Sequence, residues 1–186
     1  MPVATPEGYA YWMTFICDAS RFWVVAFLKR KSDAFSAFQS FKAYAENSLG
    51  LRVKATRDDK GGEYMGRPFV EFCAQHGIHR QHTEPDEPHQ NGVAERANRS
   101  IAEGSTSLLV QSKLPPSFWG HAISTFVHTR NRMPTASLKG GIPYTAWKGD
   151  GRKPDVSYFR VFGCLAYVLV RKKVLAAAHL RAIPKA

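Results

Sequence analysis

At 186 residues, with 44% hydrophobic, 12% aromatic and 22% charged residues, the chain can bury one core, which excludes a disordered, collagen-like or low-complexity protein. Cys17, Cys73 and Cys164 are odd in number and never form C-x-x-C, which argues against a disulfide framework or zinc knuckle and for a reducing, intracellular setting. The net charge of +11 is lopsided: residues 1–95 hold 11 Lys/Arg against 12 Asp/Glu, whereas residues 96–186 hold 15 against 3, so a polyanion-binding surface is expected in the second half.

Tyr11–Ile16 and Phe22–Leu28 are rich in aromatic and β-branched residues around a turn-forming Cys17–Arg21, which predicts a β-hairpin. Apolar residues at three- and four-residue spacing from Asp33 to about Asn47 predict a helix, capped by Ser32 or Asp33 and ended near Gly50. Arg52–Thr56 reads as a strand, broken by the charged, glycine-bearing stretch Arg57–Gly62. Pro68–His76 reads as a short helix closed by Gly77, and Ile78–His82 as a second strand, giving a β-α-β order.

Thr83–Asn91 is expected to be a loop that leads through Asn91-Gly92 into a long helix. In that helix Ala94, Ala97, Ile101, Gly104 and Leu108 share one stripe, with Glu95, Arg99 and Thr106 opposite. Pro115-Pro116 opens a further helix with a broad apolar face from Phe118 to Val127, ended by Pro134. Residues 135–160 read as irregular and Val161–Val170 as a buried strand. That run of ten is the longest apolar one, and no basic segment precedes an apolar one at the N-terminus, so neither a membrane span nor a targeting signal is expected.

Two acids stand out by context: Asp59 at a strand end before Gly61-Gly62, and Glu95 in the first turn of a helix. Hard oxygen ligands at element ends suit Mg²⁺ or Mn²⁺, although the helix dipole favours Glu95 there anyway and Asp near Gly is ordinary turn chemistry. Cys73, His76, His79 and His82 are spaced by three like a zinc site, but the run passes from helix to strand at Gly77, where His79 and His82 would point to opposite faces.

The segments Phe15-Ile16-x-Asp18-x-Ser20-Arg21, Arg57-x-Asp59-x-Gly61-Gly62-Glu63-Tyr64, Gln90-Asn91-Gly92-Val93-Ala94-Glu95-Arg96-x-Asn98-Arg99 and Phe162-Gly163-Cys164 closely resemble the integrase of copia-type retrotransposons. The likeness covers nearly the whole chain, and the 35 residues between Asp59 and Glu95 match the family's gap between its second and third catalytic carboxylates. It implies an RNase H-like α/β fold, a mixed sheet flanked by helices, with residues 1–170 as catalytic core and 171–186 as a basic tail. It further implies that Asp59 and Glu95 are catalytic, metal-binding residues, and that Asn91, Arg96, Asn98 and Arg99 lie where the family meets DNA.

The family's first catalytic Asp belongs to a central strand just upstream of the stretch like Tyr11–Asp18, so the resemblance implies that this chain lacks it and leaves neighbouring strands with open edges. Asp18 fits the family's hairpin turn and Glu7 the loop before it. The expected activity is Mg²⁺- or Mn²⁺-dependent end trimming and strand transfer, with the isolated chain inactive. Expected partners are retroelement and target DNA, RNA through the parent polyprotein, and further copies of the chain, in a cytoplasmic particle and then the nucleus. The alternative is a catalytically dead nucleic-acid-binding or self-associating remnant.

Overall fold

Alternation of aromatic and β-branched residues on either side of a tight turn produces the N-terminal hairpin. In a computed structural model, which describes residues 3–58, 66–82 and 92–167, β1 (Tyr11–Ile16) pairs antiparallel with β2 (Trp23–Leu28), from Tyr11 opposite Leu28 to Ile16 opposite Trp23. Arg21 closes the turn at φ 54°, its amide donating to the Cys17 carbonyl and its guanidinium lying 2.7 Å from Asp18. Asp18 is therefore a turn residue, as the resemblance implies.

Helix α1 (Ala34–Leu49) begins after a single 3-10 turn, Lys31–Asp33, and ends at Gly50, whose φ of 64° suits a residue without Cβ. Asp33 sits at the expected start, but its carboxylate turns back to accept from the Arg30 amide at 2.9 Å rather than capping α1. Near the other end, Glu46 accepts from Lys42 at 2.7 Å and from the Val53 amide at 3.0 Å. The Lys42 bond first, and the Val53 amide second, hold the Glu46 carboxyl below its usual range. This bridge anchors the chain between α1 and the next strand.

That strand, β3, runs Ala55–Asp58 rather than 52–56. The Val53 amide is already taken by Glu46, and Asp58 continues the ladder because its carboxylate is buried beside Arg80 (3.4 Å) and His82 (2.8 Å). β3 pairs parallel with β4 (His79–His82), Ala55 opposite His79 and Asp58 opposite His82, with α2 (Arg67–Gln75) between them in sequence. Phe38 of α1, Phe69 and Cys73 of α2, and Ile78 form the core beneath this β-α-β unit.

Helix α3 (Gly92–Ser112) packs on α4 (Trp119–Arg130). Ala97 and Ile101 of the expected stripe are fully buried against Trp119, Ile123, Val127 and Trp23, while Glu95, Arg99 and Thr106 are exposed, as the periodicity requires. Gly104 is only half-buried, and a Cβ there would fall 2.1 Å from the Phe126 ring, so the missing methyl is what lets α4 approach. Ser105 takes the buried position instead.

After α4, Asn131 is buried and bonds both main-chain groups of Trp23, accepting from its amide at 2.9 Å and donating to its carbonyl at 2.8 Å. One side chain thus completes the start of β2. Asn131→Leu leaves two buried backbone groups unpaired and is expected to cost about 2–4 kcal/mol, a fall of roughly 5–15 °C in Tm by calorimetry.

Two readings of the C-terminal third are corrected. Residues 135–160 are not wholly irregular: Pro143 in the first turn and Gly149 at φ 71° bound a short helix, α5 (Pro143–Lys148), which buries Trp147 in a stack on Phe22 at 4.9 Å. Val161–Val170 is not a buried strand over the residues described: Val161, Leu165 and Tyr167 are 66%, 80% and 92% exposed. Gly163 at φ 80° sets a turn there, with the Cys164 amide on the Val161 carbonyl. Residues 168–170 and the basic tail 171–186 lie outside the described residues.

Among the described residues the strands form two pairs, β1 with β2 and β3 with β4. The facing edges of β1 and β3 carry no further strand among the described residues. An 890 Å³ trough runs between these edges, lined by every residue of β1 and by residues 54–58.

Candidate metal and nucleic-acid site

The first turns of α3 gather most of the residues singled out by motif. Glu95 lies in the first turn, where the N-terminal end of the helix dipole favours a carboxylate, and Arg96, Asn98 and Arg99 follow, all exposed. Asp59 and Asn91 lie outside the described residues.

Among the described residues no ion pair joins Glu95 to Arg96 or Arg99, although Arg99 is one turn away. The simple helix ion pair is therefore not formed. The Arg96 guanidinium instead folds back over the helix start, where a Cβ on Gly92 would meet it at 3.0 Å. An exposed carboxylate without a neutralising cation is chemically suited to a hard divalent ion. Glu95 fits Mg²⁺ or Mn²⁺ as one ligand, and among the described residues no group of three His, Cys, Asp or Glu is placed to complete such a site.

Asn98 makes a structural contact that sequence did not reveal. Its Oδ1 accepts a 3.1 Å bond from the Thr14 hydroxyl of β1, which ties α3 to the hairpin. Val93, Ala94 and Asn98 also line the trough, so the start of α3 lies beside β1 and β3.

The evenly spaced Cys and His residues disperse. Cys73 is buried among Phe38, Phe69 and Ile78, and that burial raises its thiol pKa. The His76 Nδ1 meets the Phe72 carbonyl at 2.9 Å, His79 is exposed, and His82 turns to Asp58. Asp58 is the carboxylate the motif reading passed over. Its signal was the alternation Arg80-x-His82 on a partner strand, two groups on one face able to meet a buried acid.

Comparison with solved structures defines the class. The HTLV-2 integrase catalytic core domain in complex with magnesium, in its trimeric form, aligns with TM-score 0.55 at 20% identity, covering 72% of this chain and 81% of that one. A chain of the simian T-cell lymphotropic virus intasome in complex with PP2A regulatory subunit B56 gamma aligns with TM-score 0.61 at 19% identity, covering 83% of this chain and 58% of that one. The fold is that of an RNase H-like integrase catalytic core.

Residues 1–88 match the integrase core domain. The chain is 41% identical over 184 residues, 99% of its length, to the retrovirus-related Pol polyprotein from transposon TNT 1-94 of Nicotiana tabacum, and 32% identical over 170 residues to that from transposon RE1 of Arabidopsis thaliana. It belongs to the integrase core family, in the branch carried by plant copia-type retrotransposon polyproteins. It spans 14% of the tobacco polyprotein and 11% of the Arabidopsis one.

Proposed function

We propose that the chain is the catalytic-core segment of a retrotransposon integrase, acting in the trimming of complementary-DNA ends and their joining to target DNA. The observation that carries this reading is Glu95, exposed in the first turn of α3 with Arg96 beside it and Arg99 one turn on, in a chain similar over 99% of its length to a retrotransposon Pol polyprotein. Glu95 and Asp59 are proposed to hold Mg²⁺ or Mn²⁺, which when bound lowers the pKa of the attacking oxygen and offsets charge on phosphorus. The chain's own contribution is positional. Arg96 and Arg99 would bind DNA phosphates, with Asn91 and Asn98 beside them, while the Thr14 bond holds Asn98 and the helix against the hairpin.

Partners under this reading are retroelement ends, target DNA and further copies of the chain, with action in the nucleus after a cytoplasmic particle. RNA would be met through the parent polyprotein. A second reading is a catalytically dead nucleic-acid-binding or self-associating remnant, which would keep the fold and the basic second half of the chain without joining ends.

A joining assay with a labelled end duplex separates the two. Under the first reading a polyprotein segment that includes this chain is expected to join ends with Mg²⁺ or Mn²⁺, and the 186-residue chain alone to bind DNA without joining. Failure of joining by every longer segment would favour the remnant.

A further inference from the structure

We propose that Thr14 is a positioning residue for DNA: its hydroxyl sets the direction of the Asn98 carboxamide, so that Nδ2 rather than Oδ1 is offered to an oxygen of the phosphate backbone. This role rests on the chain acting on DNA as an integrase core, and Thr14 lies outside the helix motif that carries that reading.

Thr14 is out of place by pattern. In β1 it stands between Trp12 and Ile16 on one face of the hairpin, with Phe27, Val25 and Trp23 across from the three of them. All five of these neighbours belong to the core shared with α3 and α4, and on this face Thr14 alone brings a polar group. A valine would have nearly the same shape and the same preference for a strand, so packing does not account for the hydroxyl. Among the described residues its side chain makes one hydrogen bond, to Oδ1 of Asn98 at 3.1 Å.

Asn98 stands at a seam. At roughly 100° per residue it lies about 60° round α3 from Glu95 on one side and from Ile101 on the other. Glu95 is exposed and Ile101 fully buried, so one end of the carboxamide meets the hairpin and the other turns toward the face that carries Glu95 and Arg99.

A carboxamide has a donor end and an acceptor end, and rotation about χ2 exchanges them at little cost. That exchange decides the sign of the interaction with a polyanion, because Nδ2 donates to a phosphate oxygen whereas Oδ1 repels it. The Thr14 hydroxyl holds one choice. It donates to Oδ1, which leaves both Nδ2 hydrogens without a partner among the described residues. Reversal would turn Oδ1 outward and take from the hydroxyl hydrogen its acceptor. Because the carboxamide is neutral, a phosphate can be held one turn from Glu95 without a further cation that would pair with the carboxylate.

The test is a double-mutant cycle, read as the affinity of the 186-residue chain for a labelled duplex by fluorescence anisotropy. Thr14→Val is expected to weaken binding about 3- to 10-fold, and Asn98→Ala at least ~10-fold. The double variant should bind as Asn98→Ala does, because the hydroxyl acts only through the carboxamide. Thr14→Ser keeps the hydroxyl and should stay within ~2-fold of the unaltered chain. Each loss should be alike on duplexes of different sequence, as for a phosphate contact. A merely structural Thr14 would lower Tm and add its effect on affinity to that of Asn98→Ala; such additivity overturns the proposal, as does a loss confined to particular sequences. Unchanged affinity of Thr14→Val overturns it too, while a chain that still binds DNA keeps the integrase reading. Binding of no duplex at all removes both. Should Thr14→Val not fold, NMR of the unaltered chain decides: the Asn98 side-chain amide signals should shift when duplex is added, and unmoved signals overturn the proposal.

Discussion

Glu95→Gln in the full-length integrase is expected to reduce end joining by at least ~10³-fold, while DNA affinity changes less than ~3-fold. The substitution keeps size and shape and removes only the charge that makes the carboxylate a ligand for a hard cation. Because Glu95 is exposed, the fold loses little beyond the favourable placement of an anion at a helix start, about 0.3–1 kcal/mol. Tm should therefore fall by only a few degrees, roughly 1–4 °C. Arg99→Gln, one turn on, should instead weaken DNA binding with a smaller effect on the joining rate at saturation. A Glu95→Gln enzyme that joins ends at an undiminished rate would remove Glu95 from the reaction.

The parts of this fold that were legible in the sequence are those governed by local periodicity. The hairpin, the helix after Asp33, the β-α-β order and the two faces of α3 all follow from alternation or from three- and four-residue spacing, and each forms. What escaped depends on contacts far apart in the chain. The residues of α5 look irregular because a six-residue helix, Pro143–Lys148, has too few turns to display a period, and Trp147 becomes a core residue through the distant rings of Phe22 and Tyr44. Val161–Tyr167 has strand composition, yet Gly163 turns the chain and no described strand lies alongside it. Asp58 reads as turn material until Arg80 and His82, 22 and 24 residues later, bury it. Glu95, Arg96, Asn98 and Arg99 were singled out because a motif placed them on one helix, whereas the Thr14 bond to Asn98 spans 84 residues and leaves no local trace.

DNA binding by the chain should be strongly salt-dependent, but less so than the +12 net charge of residues 96–186 implies. Some of that charge is used inside the fold. Arg130 lies 4.7 Å over the ring of Trp23 and bonds Thr135, and Arg132 lies 4.5 Å over Tyr144 and bonds the His128 carbonyl. Arg96, Arg99, Lys113, Lys139, Lys148, Arg152 and Lys153 remain exposed. If about six phosphates are neutralised, log K falls with log salt at a slope near −5, a loss of about 10³-fold between 50 and 200 mM. Arg96→Ala and Arg99→Ala should each lower that slope by about 1 and weaken binding alike on every sequence, because contacts to phosphate carry no base information. Arg130→Ala removes the same formal charge but strips a cation from the Trp23 face, so it should lower thermal stability and leave the slope unchanged. Fluorescence anisotropy with a labelled duplex across a salt series, beside melting curves for each variant, measures both quantities. An Arg130→Ala slope that drops as far as that of Arg99→Ala would show the two arginines to be equivalent, and the division between structural and DNA-facing cations would fail.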